Sequence, residues 1–172
     1  MKKFIYIFTM LFAVVFSACN SEDFDYDIEY TPIHPMGGQY RISIVDETGV
    51  EVKLSSSMYC YLSNTSDNAT DECWIRIGNY NTSASNAYSI NGKIACDLKT
   101  LTFSGTTMNL AGNVTSSNEN FTVANGKIEL NGATAPSGTV CDKISFTYTR
   151  DNFPGKTYTV TGYRYTGWTE TD

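Results

Sequence analysis

The chain has 172 residues, 12 basic and 18 acidic, with a formal charge of −6 and a single histidine. The acidic balance argues against a nucleic-acid binder, which needs a basic face to neutralise phosphate. Only 17% of residues are charged, too few for an extended coiled coil, and 13% aromatics together with many β-branched residues argue against wholesale disorder.

The first 18 residues read as a targeting segment. Lys2 and Lys3 precede Phe4 to Phe16, an apolar run of 13 residues broken only by Thr9. That length suits a signal-peptide core and falls short of the ~20 residues of a spanning helix. Phe16-Ser17-Ala18-Cys19 resembles a bacterial lipobox, with Phe16 where Leu is usual, and makes Cys19 the expected lipidated residue. A plain secreted protein with an incidental cysteine is the alternative. A chain beginning at Cys19 keeps 10 basic and 18 acidic residues. Residues 19–30 carry Glu22, Asp23, Asp25, Asp27 and Glu29 and no base, so they read as an extended acidic tether. Ser21-Glu22-Asp23 resembles the export signal of Bacteroidota surface lipoproteins, an ordinary solvated linker being the other reading. The expected location is the outer membrane, lipid-anchored and facing outward. The membrane is then the first partner, and an outer-membrane protein is a candidate second.

Residues 31–172 read as one domain of short alternating runs separated by Gly, Asn, Ser and Asp clusters. Gln39–Val45 sets Tyr40, Ile42 and Ile44 on one face. Ser57–Ser63 sets Met58, Cys60 and Leu62 against Tyr59 and Tyr61, and Cys73–Ile77 opposes Trp74 and Arg76 to its apolar residues. Gly92–Leu98 comes next, then a short strand at Leu101 and Phe103. Phe121 and Val123 lead into Asn125-Gly126, a hairpin-turn signal, with Ile128 and Leu130 beyond. Asn91-Gly92-Lys93-Ile94 recurs as Asn125-Gly126-Lys127-Ile128, which reads as repeated turn chemistry. Val140–Thr149 and Lys156–Tyr165 close the series. About eight or nine strands at this spacing indicate an all-β, antiparallel barrel, with a sandwich as the alternative.

Chemistry-bearing residues are few. Cys60, Cys73, Cys96 and Cys141 contain no C-x-x-C pair, so no metal site and no cofactor are expected. Cys60 and Cys73 fall on successive strands, where a disulfide between them and two buried free thiols are both open. His34, in Pro32-Ile33-His34-Pro35, would have to serve any Ser-His-Asp triad, and no G-x-S-x-G elbow accompanies it. Asp97, Glu129 and Asp142 are the carboxylates that glycoside hydrolysis would need, solvated strand-edge charges being the plainer reading. No catalytic residue is assigned. Tyr59, Tyr61, Trp74, Tyr163, Tyr165 and Trp168 fall opposite the apolar stripes. They are candidate ligand contacts, for stacking on a glycan, or else cross-strand pairs that only stabilise the sheet.

Two segments carry a family resemblance. His34-Pro35-Met36-Gly37-Gly38-Gln39-Tyr40 near the start and Val160-Thr161-Gly162-Tyr163-Arg164-Tyr165-Thr166-Gly167-Trp168 at the close resemble the Bacteroidota lipoproteins described as lipid-binding putative hydrolases. The resemblance implies a small calycin-like barrel and a lipid ligand. Gly38-Gln39-Tyr40 with Arg164 is also similar to the lipocalin arrangement, in which an arginine of the last strand covers an aromatic of the first. Tyr40 and Arg164 are therefore the expected barrel-closing pair. The function expected is binding of a small hydrophobic ligand or a glycan. A structural subunit of an outer-membrane assembly and, less favoured, a hydrolase are the alternatives.

Overall fold

The computed structural model describes residues 29–52, 58–78, 88–111 and 119–167. The signal segment, Cys19 and Trp168 lie outside the described residues. The chain divides into two units, Met1–Tyr30 and Thr31–Asp172, and every strand among the described residues lies in the second.

Alternation of apolar and polar residues builds eight strands, each with one buried face. They are β1 (Gly38–Val45), β2 (Tyr59–Ser63), β3 (Glu72–Ile77), β4 (Ile90–Asp97), β5 (Thr102–Met108), β6 (Asn120–Thr134), β7 (Val140–Arg150) and β8 (Thr157–Arg164). Each pairs antiparallel with the next, and β8 returns to β1, giving a closed barrel without a free edge. The sandwich alternative is thereby excluded.

An eight-stranded barrel is just wide enough for side chains to fill it, and this one is filled with rings and isoleucines. Phe103, Phe146, Tyr148 and Tyr158 form a continuous aromatic column, with successive ring centroids 5.5, 6.2 and 5.0 Å apart. Tyr40, Ile44, Ile75, Ile90, Phe121 and Ile144 pack around it, all almost fully buried.

The hairpin expected at Asn125-Gly126 does not form. The two short runs flanking it are one 15-residue strand, β6, whose register against β7 shifts between Ala124 and Lys127 and again between Glu129 and Ala133. Asn125 supplies the left-handed backbone (φ 56°) of a bulge, a conformation Asn shares between turns and bulges. Gly126 is there because Phe103, both ring and carbonyl, packs where a Cβ would stand. Asn91-Gly92 is also inside a strand, and Gly92 is overlain by Thr107 and Phe121. The repeated tetrapeptide therefore marks close approach by residues of nearby strands, not turn chemistry.

One end of the barrel is plugged. Thr31–Gly37 winds into a turn held by His34 N–H to Thr31 O (2.9 Å), Met36 N–H to Ile33 O (2.9 Å) and Gly37 N–H to Ile33 O (2.7 Å). That winding puts Ile33 and Met36 on one side, and both are buried in the barrel. The opposite end, the mouth, is where β1, β3, β5 and β7 finish.

Candidate functional site

The plugged end is closed by the pair expected from the sequence. Tyr40 and Arg164 are direct register partners on β1 and β8. The Arg164 guanidinium carbon lies 5.4 Å from the Tyr40 ring centroid, within cation–π reach. Arg164 also donates from Nη1 to Gly37 O (2.7 Å) and from Nη2 to Pro35 O (3.1 Å) and the Tyr40 hydroxyl (3.1 Å). Tyr40 OH in turn donates to Met36 O at 2.8 Å. Arg164 Nε lies 2.9 Å from Asp142 Oδ2 as an ion pair, though its N–H is not directed at the oxygen. Burial holds the Tyr40 phenol neutral to well above its ordinary range, despite the opposing pull of Arg164. Gly38 adopts φ 142°, and a side chain there would press on Arg164 Nη1. The Gly-x-Tyr spacing thus leaves room for the arginine.

At the mouth, the same interior face turns polar. Along β7 the inward residues run Ile144, Phe146, Tyr148, Arg150. Arg150 is buried against Glu119, donating from Nε (3.1 Å) and Nη2 to Oε1. Asn109 donates to the same Oε1 at 2.8 Å and to Ser89 O at 3.1 Å, while its own oxygen accepts from Asn91 N–H at 3.0 Å. All three side-chain donors to Glu119 among the described residues converge on one carboxylate oxygen. Glu119 Oε2 is buried and has no hydrogen-bond partner among the described residues. Arg150 also stacks 4.9 Å over the Phe153 ring and borders a cavity of about 480 Å³ shared with Asp151, Phe153 and Lys156. Tyr148, within the aromatic column, donates to Tyr88 O at 2.9 Å.

This cluster is not among the residues the sequence nominates. The alternating run there ends at Thr149, and 104–120 has the composition of a loop. Carrying the alternation of β7 one residue further sets Arg150 on the apolar face, which is the one available signal.

The candidate contact residues gather on the outer wall. Tyr163, Arg41 and Tyr59 lie side by side across β8, β1 and β2. Tyr61 faces Arg76, and Trp74 faces Lys93, across β2, β3 and β4. Tyr59, Tyr61, Trp74, Tyr163 and Tyr165 are all half-buried. Several of their rings are engaged with one another or with cations. Arg76 lies 4.2 Å over Tyr61, Lys93 lies 5.8 Å over Trp74, and Tyr59 meets Tyr165 edge-on at 5.8 Å.

Comparison with known families matches residues 25–169 to the family described as lipid-binding putative hydrolase. The chain belongs to this family. No curated protein sequence matches it. Among solved structures, a redesigned β-barrel is similar at 14% identity and a TM-score of 0.45, covering 78% of this chain and 96% of that one.

The histidine and carboxylates that the sequence offers for hydrolysis are placed as follows. His34 is exposed on the plug turn. Asp97 caps the turn after β4 by accepting from Lys99 N–H at 2.8 Å, and such bonds hold its carboxyl below the usual range. Glu129 sits between Lys127 (3.6 Å) and Lys143 (3.1 Å), which likewise lower it, and Asp142 is held by Arg164. Each carboxylate has a structural partner, and they are not gathered around one cleft. No group of three or more His, Cys, Asp or Glu comes together for a metal among the described residues.

The disulfide expected as one option between Cys60 and Cys73 is not present, and Cys60, Cys73, Cys96 and Cys141 are all buried thiols. Cys60 pairs with Ile77, four residues along β3 from Cys73. At about 3.3 Å per residue that offset is roughly 13 Å, against the ~7 Å between Cα atoms that a disulfide allows. The two strands are adjacent as their order implies, and register alone keeps the sulfurs apart.

Proposed function

We propose that this protein is an envelope lipoprotein, anchored through Cys19, that binds an amphiphilic lipid at the barrel mouth. The observation that carries the reading is the Glu119 carboxylate. A buried acceptor without a donor is costly in a folded chain, by about 1–3 kcal/mol or more for a charged group, and such groups call for a partner the fold itself does not supply. Glu119 sits at the mouth of a barrel belonging to a lipid-binding family, and its partner Arg150 lines an open cavity of about 480 Å³. That volume falls in the range of small-molecule sites. The polar head supplies a hydroxyl or ammonium donor to Oε2, and the alkyl portion lies along the apolar surface near Phe153. The interior column is already occupied by the protein's own rings, so the ligand is held at the rim and not swallowed.

The outer wall is the surface a stacked glycan or an outer-membrane protein partner would meet. Rings there are covered by neighbouring cations and rings, which supports the lipid reading over the glycan one.

Native mass spectrometry of the chain extracted from membranes tests lipid binding directly, a co-purifying lipid mass being expected. A monoacylglycerol should then bind at least about tenfold more tightly than the methyl ester of the same fatty acid, a difference of about 1.4 kcal/mol. Equal binding would remove Glu119 as the head-group acceptor and leave lipid binding intact. Binding of neither would end the lipid reading. The anchor has its own check: Cys19→Ala should move the protein out of the detergent phase, and retention there defeats the lipoprotein assignment.

A further inference from the structure

We propose that Cys73 and Cys96 form a site of oxidative modification, closing into a disulfide between β3 and β4. Cys73 is the register partner of Ile94, and Cys96 N–H donates to Asp71 O at 2.8 Å. Cys96 is therefore the diagonal neighbour of Cys73, two residues further along β4. Both face the interior with Ile75, Ile77 and Ile94, and both are buried. Sheet twist shortens one of the two diagonals between antiparallel strands. The Cys73 and Cys96 side chains are near enough to act on each other electrostatically, which marks this diagonal as the short one. The other two thiols pair elsewhere in the register, Cys60 opposite Ile77 and Cys141 opposite Ala133.

Access is asymmetric. Cys96 borders a groove of about 330 Å³ with Asp97, Thr102 and Phe103, and Cys73 is not among its lining residues. Cys96 is thus the sulfur an oxidant meets first. The oxidant is a disulfide-bearing exchange partner, as an oxidising envelope supplies. The Cys96 thiol loses its proton and its thiolate attacks one sulfur of that donor, expelling the other as a thiolate. Cys73 then loses its proton and attacks Cys96 in the mixed disulfide, releasing the donor's second thiolate. Two protein thiols are oxidised and one donor disulfide is reduced to two thiols. Burial raises both protein thiols above the ordinary range, so the exchange is slow near neutrality and accelerates as pH rises.

The bond would close a loop over the β3–β4 connection without touching the mouth cluster. It rests on the envelope location proposed above and is independent of the lipid reading. The test uses the full chain carrying Cys19→Ala, incubated with oxidised glutathione and then denatured for thiol counting. Thiols should fall from four to two, with a Cys73–Cys96 cross-linked peptide in a non-reducing mass map. Tm should rise by roughly 6–12 °C, the scale for closing a loop of this length in a domain of this size. The same peptide should persist in Cys60→Ser and Cys141→Ser. Four thiols surviving oxidation, or a bridge containing Cys60 or Cys141, would overturn the proposal.

Discussion

The barrel carries an arginine–carboxylate pair at each end, and the two are used differently. At the plugged end Arg164 spreads its donors over Gly37 O, Pro35 O and the Tyr40 hydroxyl while Asp142 balances its charge. It joins the plug, the first strand and the last, and its side chain keeps 27% exposure. At the mouth Arg150 and Asn109 crowd onto one oxygen of Glu119, both charged side chains are almost fully buried, and the second oxygen has no partner among the described residues. One pair spends its hydrogen bonds on closure. The other leaves a buried acceptor, the feature on which the proposed recognition of a ligand donor rests.

Removing one member of each pair should separate the two uses. Glu119→Ala strands a buried guanidinium and should destabilise the fold by about 3–5 kcal/mol, measurable by urea unfolding. Glu119→Gln keeps volume and a hydrogen-bonding partner for Arg150. It should be milder in stability, yet it should abolish the preference for a donor-bearing lipid. A variant that keeps the preference would show that Oε2 is not the acceptor. Arg164→Met comes next, at about 1.5–3 kcal/mol for lost charge-assisted hydrogen bonds, and should leave lipid preference unchanged. A loss of binding in Arg164→Met would mean that the plugged end also contributes to the site.

Alkali probes the same contrast at smaller scale. Burial raises the Tyr40 and Tyr148 phenols above the ordinary value of 10.0. Unfolded, these phenols ionise near 10; folded, they stay protonated. The unfolded chain therefore holds fewer protons above that pH, and stability falls as pH rises. It is fully present below about 10 and declines by about 1.4 kcal/mol per pH unit for each such phenol. Absorbance at the phenolate band should show both titrating only as the fold is lost. Titration of Tyr40 in the folded protein would mean that the plug opens readily.

The plugged end was legible in the sequence because its signal is local and typed: a Gly-x-aromatic on the first strand and an arginine on the last, with strand parity agreeing on both. Tyr40 and Arg164 meet as expected. The mouth was not legible, because Asn109, Glu119 and Arg150 come together from beside the ends of separate strands and fall just outside the recognisable alternating runs. The Asn125-Gly126 error has a related cause. Left-handed Asn followed by Gly serves a turn and a bulge equally, and only the pairing of β6 with both neighbours decides between them. Of the two open readings of Cys60 and Cys73, register decides for buried free thiols, since alternation fixes which face a residue takes and not how far along the neighbouring strand its partner lies.

The outer wall offers the smallest and sharpest test. If Trp74 and Tyr61 are cross-strand partners of Lys93 and Arg76, truncating either should cost about 0.5–1 kcal/mol, the scale of an exposed cation–π or cross-strand pair. Lipid binding at the mouth, as proposed, should be untouched, because these residues project from the outside of β2 and β3. A Trp74→Ala variant that keeps its stability but loses ligand would reverse that assignment. The ring would then be held by Lys93 for a ligand and not for the sheet, and the binding surface would belong to the aromatic wall that strand alternation alone nominates.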